Sequence, residues 1–144
     1  MKGKRIALLS CLIALVVLVC GCGSKESKLI CKQSTNGVDI TFNVDFKGNM
    51  VSAMSFDYDM DLSKYNDKQI EAIGEQDFCT SVKNSMTEYK DAFTDCKQKV
   101  ENKNLNVSSV LDVDKIAKNV LDKMTSPEDA KKDIENKGYT CEIQ

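Results

Sequence analysis

The chain has 144 residues, room for one domain with a real core and too few for two sizeable ones. It carries 20 basic and 22 acidic residues with no His and no Trp, so Ser-His or Cys-His dyads and imidazole metal ligands are excluded. Arg5 is the only arginine, and an acidic chain without guanidinium forks is a poor match for nucleic acid or phosphate recognition.

Lys2, Lys4 and Arg5 form a positive n-region, followed by an apolar run over residues 6–20 broken only by Ser10. Fifteen residues fall short of the roughly 20 that cross a bilayer as a helix. Residues 1–21 are therefore expected to be a signal peptide that is removed, rather than a permanent span. The run ends in Val19-Cys20-Gly21-Cys22, which resembles the lipobox of bacterial lipoproteins. The resemblance implies cleavage before Cys22 and a diacylglyceryl group on its thiol, with palmitate-type acyl chains holding the protein to membrane lipid. Cys20 fits less well as the modified residue, because Val19 would stand where a small residue is wanted. Two chains suffice for stable anchoring, since each buried methylene contributes about 0.8 kcal/mol and one chain alone is marginal. Residues 22–28 then read as a lipidated tether, with a single globular domain over residues 29–144. Loss of three basic residues with the signal leaves 17 lysines against 22 acids, a net charge of −5.

Four cysteines remain, Cys31, Cys79, Cys96 and Cys141, an even number that in an exported domain reads as two disulfides with three connectivities. A four-thiolate zinc site would normally show close C-x-x-C pairs, and the chain has none.

Residues 29–34 suggest a short strand, and Asn36-Gly37 is a strong hairpin signal. From 38 to 46 the alternation is unbroken, with Val38, Ile40, Phe42, Val44 and Phe46 on one face and polar residues on the other. A turn at Lys47-Gly48-Asn49 leads to a second alternating run. There Met50, Met54, Phe56, Tyr58, Met60 and Leu62 share the inward parity, and Asp57, Asp59 and Asp61 point outward. Three carboxylates about 7 Å apart along one strand face could gather a weakly held cation. They do not form an EF-hand loop, because Leu62 and Lys68 stand where Gly and Glu would be needed.

After Asn66 and Asp67 the period changes to three or four, with Ile70, Gly74, Phe78, Val82, Met86, Tyr89 and Phe93 in one stripe. This predicts an amphipathic helix of five turns or more. Residues 96–101 and 105–113 read as strands around a turn at 102–104, residues 114–124 as a short helix. Ser126-Pro127-Glu128-Asp129 opens another helix, with a cap, proline at the first position and acids in the first turn. Gly138 ends it, and residues 139–143 make a last strand. The expected fold is α+β, a mostly antiparallel sheet with one long helix and two shorter helices packed on one face.

On this map Cys31 and Cys141 lie in the first and last strands, and Cys79 and Cys96 would close a local loop. That pairing is favoured, subject to a geometric demand. A helix unbroken from Cys79 to Phe93 is about 21 Å long, so the chain must end or break it near Tyr89 or Lys90 for Cys96 to return.

The whole layout, lipobox, Cys-bearing first strand, two alternating strands, long helix, a strand pair ending in Asp112-Val113-Asp114, then the Ser126–Ala130 stretch and a terminal strand, resembles the YehR-type small bacterial lipoproteins. The resemblance implies the fold and an envelope location, and that family has no assigned biochemical function. No S-x-x-K or glycine-rich phosphate loop is present, and no carboxylate pair stands out for glycosidase chemistry. The expectation is a non-enzymatic protein without a cofactor, lipid-anchored at the extracytoplasmic face of the cell membrane. It would act as a binding or interaction module on an envelope protein. The alternatives are an accessory lipoprotein presenting a small ligand to a membrane complex and, last, a carboxylate-dependent enzyme.

Overall fold

The computed structural model describes residues 23–144. Cys22 and the expected signal peptide lie outside them.

Six strands form one sheet: β1 (Glu26–Thr35), β2 (Val38–Lys47), β3 (Met50–Asp61), β4 (Phe93–Glu101), β5 (Asn104–Leu111) and β6 (Thr140–Ile143). The order across the sheet is β4-β5-β3-β2-β1-β6, with every pairing antiparallel. The tight turns follow from residues that tolerate positive φ. Asn36 and Gly37 (φ 53° and 80°) join β1 to β2, and Asn102 and Lys103 (φ 51° and 57°) join β4 to β5. β1 begins at Glu26, paired with Lys47, three residues before Leu29.

One face of the sheet is the core. Leu29, Phe42, Val44, Phe46, Met54, Phe56, Leu105, Val107 and Leu111 are buried there, joined by Val82, Val120, Ala130 and Ile134 from the helical segments. These are α1 (Asp67–Gly74), α2 (Phe78–Ser85), a 3-10 turn (Thr87–Ala92), a short 3-10 turn (Val113–Lys115), α3 (Lys118–Leu121) and α4 (Pro127–Glu135). Ser126 caps α4 as expected, its hydroxyl accepting from the Asp129 N–H at 3.1 Å with Pro127 at the first position. Gly138 follows α4 at φ 96°, and a Cβ there would meet the Gln33 side chain at 3.1 Å.

The expected fold class fails on its central element, because among the described residues there is no long helix and most of the regular structure is sheet. The stripe from Ile70 to Phe93 is divided into two helices of eight residues, a 3-10 turn and the start of β4. Asp77 makes the first division. Its Oδ1 accepts from the Thr80 N–H at 2.9 Å and its Oδ2 from the Thr80 hydroxyl at 2.6 Å, which starts a new helix one turn after Gly74. Gln98 of β4 holds the gap open. Its Oε1 accepts from the Phe78 N–H at 3.0 Å, and its Nε2 donates to the Gln76 carbonyl at 2.8 Å. One side chain thus satisfies backbone groups at both ends of the break. Met86, at φ −100° and ψ 64°, ends α2. The helix expected over 114–124 is likewise reduced to a 3-10 turn and the single turn α3.

Two β-bulges re-phase the strands. In β4, Thr94 pairs with Val110 and Lys97 with Ser108, so Asp95 (φ 47°) and Cys96 together stand against Ser109. The shift turns Gln98 and Val100 toward the core side, opposite Val107 and Leu105. The Ser109 hydroxyl, buried, donates to the Thr94 carbonyl at 2.7 Å and satisfies the acceptor beside the bulge. In β3, Ala53 pairs with Asp45 but Val51 with Phe46, which leaves Ser52 extra; its hydroxyl donates to the Asp45 carbonyl at 3.1 Å. Met50 therefore loses the inward parity expected of it and is 75% exposed.

Candidate functional site

The four expected disulfide cysteines form two bridges. Cys31 and Cys141 face each other across β1 and β6, with Cα atoms 4.0 Å apart. Cys79 and Cys96, Cα atoms 5.9 Å apart, tie α2 to β4. The helix break supplies the return path that this second bridge requires. Cys22, the expected lipid attachment, lies outside the described residues.

Asp57, Asp59 and Asp61 do stand on the face of β3 opposite Phe56 and Leu62, but each meets different neighbours. Asp59 Oδ1 accepts from Asn104 Nδ2 at 3.2 Å and Asn106 Nδ2 at 3.0 Å. Asp61 accepts from the Ser63 N–H at 2.8 Å, and this bond holds its carboxyl below the usual range. Burial, then the negative charge of Asp59, raise Asp57. Among the described residues no group of three or more His, Cys, Asp or Glu side chains could hold a metal ion.

A concavity lies elsewhere, over the core side of β2 where the broken helix and α4 approach. It is an open pocket of about 330 Å³ floored by Phe42, Met86 and Ile134, with Tyr89, Tyr139 and Lys137 on its walls. Phe42 and Tyr89 pack with ring centroids 5.4 Å apart. Lys137 Nζ lies 5.8 Å from the centre of the Tyr89 ring, 2.7 Å from Glu88 Oε2 and 3.3 Å from Asp133 Oδ2. Burial lowers the Lys137 ammonium, but the Glu88 hydrogen bond and the surrounding groups outweigh it, and the net shift is upward. Burial pushes the Tyr89 hydroxyl up to about 12, against the opposing pull of Lys137, and burial also raises Tyr139. The Lys137 charge is thus paired with Glu88 and Asp133, and the floor is apolar.

Sequence reasoning placed Tyr89 and Met86 on a core-facing helical stripe and did not single out Lys137. Asp133 and Lys137 are spaced i,i+4 on α4 and its exit, a signal that was available. Glu88 and Lys137 are 49 residues apart and carry no local signal.

No protein-family model matches the chain, and no curated protein matches it. Among solved structures, the NMR structure of the E. coli YehR protein aligns at 15% identity over 83% of this chain and 92% of its own, with a TM-score of 0.52. An NMR structure of a protein from Streptococcus pneumoniae TIGR4 aligns at 15% identity over 82% of this chain and 84% of its own, with a TM-score of 0.46. The chain has a YehR-like fold. At that identity the likeness bears on fold alone.

Proposed function

We propose that this protein is a lipid-anchored bacterial lipoprotein of the cell envelope. Its folded domain is a non-catalytic binding module at the extracytoplasmic face of the membrane. The lipobox-like Val19-Cys20-Gly21-Cys22 supports the anchor, and the two disulfides suit an oxidising compartment. The observation that carries the binding reading is the pocket between Met86 and Lys137. About 330 Å³ is at the small end of ligand cavities, and this one is open to solvent with an apolar floor. Such a shape accepts one anchoring side chain of a partner protein and leaves a small ligand largely uncovered.

Lysine cross-linking in intact cells, followed by mass spectrometry, tests both parts with the full chain. One reproducible envelope partner captured by the wild type and lost in Met86→Asp is the expected result. Capture of nothing but the protein itself, or the same partner at the same yield in Met86→Asp, overturns the module reading. Cys22→Ser tests the anchor: the protein is expected to leave the membrane fraction, and an unchanged distribution overturns it.

A further inference from the structure

The turn that the β3 bulge re-aims lies at one end of the sheet, and so does the start of the described chain. The Gly48 N–H donates to the Lys25 carbonyl at 2.8 Å, and a Cβ at Gly48 would meet the Ser24 Cβ at 3.8 Å. Two residues on, Met50 is 75% exposed, far more than any other large hydrophobic side chain among the described residues. Behind it opens a groove of about 690 Å³ walled by Val51, Val113, Ile116, Leu121 and Met124. The groove is mostly apolar, with Asp114 and Lys118 at its edge, and an exposed methionine at its mouth is a surface that water does not favour.

The position of Cys22 says what covers it. Only Gly23 and Ser24 separate Cys22 from Lys25, and a trans chain advances at most about 3.8 Å per Cα step. Cys22 is therefore within about 11 Å of the residue hydrogen-bonded to Gly48. The headgroup layer on each side of a bilayer is about 5 to 8 Å thick. A diacylglyceryl group on Cys22 brings the 48–50 turn to that layer with no further reach of chain. Lys25 and Lys47 flank the turn, Lys47 paired with Met50 at the start of β3. Glu26 stands across from Lys47, so Lys25 is the ammonium whose long stem reaches anionic headgroups while Met50 goes deeper.

We infer that the β2–β3 turn is a second membrane contact, in which Met50 inserts into the interfacial layer of the bilayer that holds Cys22. The inference rests on the lipid-anchor reading. It fixes the orientation of the domain: the sheet stands on its β2–β3 end, and the Tyr89 pocket faces away from that turn.

The absence of tryptophan from the whole chain makes a direct test simple. Met50→Trp and, as control, Tyr65→Trp each create a single tryptophan, excited apart from the tyrosines at the red edge. Tyr65 is 41% exposed and lies at the other end of the sheet, beside Leu62, whose N–H bonds to the Lys103 carbonyl. The lipidated full chain is placed in phosphatidylcholine and phosphatidylglycerol vesicles with brominated acyl chains. Quenching several-fold stronger for Met50→Trp than for Tyr65→Trp, with a blue-shifted emission, is expected. Equal and weak quenching of the two overturns the inference. Hydrogen exchange on the unaltered lipidated chain gives a second reading, since residues 47–51 should gain protection on vesicles; no gain there also counts against it. Flotation of the same samples separates the two levels. A chain that floats while Cys22→Ser does not, yet leaves position 50 unquenched, is anchored without the second contact. A full chain that floats no better than Cys22→Ser has lost the anchor itself, and the inference falls with it.

Discussion

Cys31–Cys141 joins two residues that already face each other across paired strands, whereas Cys79–Cys96 joins a short helix to an edge strand beside a bulge. The first closes a sequence separation of 110 residues and is buried in the core; the second closes 17 and is only partly buried. One holds the last strand onto the first and so fixes the boundary of the sheet. The other holds a segment that has little regular structure of its own. Chain-entropy reasoning ranks them in the same order, because a longer closed loop removes more freedom from the unfolded chain.

Opening the first bridge should therefore have the largest effect. Cys31→Ser with Cys141→Ser is expected to cost about 4 to 5 kcal/mol, and β6, only four residues long, should lose its amide protection first. Urea unfolding and hydrogen exchange report both. A loss confined to β6 with the global midpoint unchanged would show that the bridge serves only the strand it touches.

Cys79→Ser with Cys96→Ser should cost about 3 kcal/mol, and its footprint should differ. Protection is expected to fall in α1, α2 and the 87–92 turn while β1, β2 and β3 keep theirs. A uniform loss across the sheet would erase the contrast between the two bridges. Gln98→Ala attacks the same region without touching sulfur. It takes the Gln98 amide away from the Phe78 N–H and the Gln76 carbonyl, which keep only their 3.1 Å bond to each other, at about 1.5 kcal/mol by chemical denaturation. Because the helical break depends on that amide, its footprint in hydrogen exchange should match that of the Cys79–Cys96 pair. A change at β6 instead would reject that role.

The same contrast runs through what could be read from residues alone. The alternation over 38–46, the Asn36-Gly37 turn and the opening of α4 each depend on neighbours a few positions away, and those features are found where the pattern put them. The long helix was not legible as two, because Ile70, Gly74, Phe78 and Val82 keep a helical phase across the gap. What divides them is a cap at Asp77 that any helix could have absorbed and an amide from Gln98, about twenty residues on. Met50 was misplaced because parity carries no mark of an inserted residue, and Ser52 looks like any strand serine. The pocket is the least legible feature, since its Lys137–Glu88 pair joins segments that only the finished fold brings together.

Tyr89 gives the finest test of the weaker half, since it sits in the segment that the second bridge and Gln98 hold in place. Its hydroxyl is pushed from 10.0 to about 12 by burial, so the folded chain keeps a proton that the unfolded chain gives up sooner. The resulting contribution to stability is complete below pH 10 and is lost as pH rises through 12. Lys137, whose ammonium is also shifted upward, releases its proton in the alkaline range too and adds to the loss. Tyr89→Phe removes the phenol and leaves the ring on Phe42. It should flatten the fall in stability between pH 10 and 11 by on the order of 1 kcal/mol, read as urea midpoints at pH 8, 10 and 11. Wild-type protein should show this alkaline loss first as exchange in the 87–92 turn and α2, before β1 and β6 respond. An identical pH dependence in Tyr89→Phe would move the titration to Tyr58 or Tyr139, both also raised by burial, and would detach the alkaline response from the pocket.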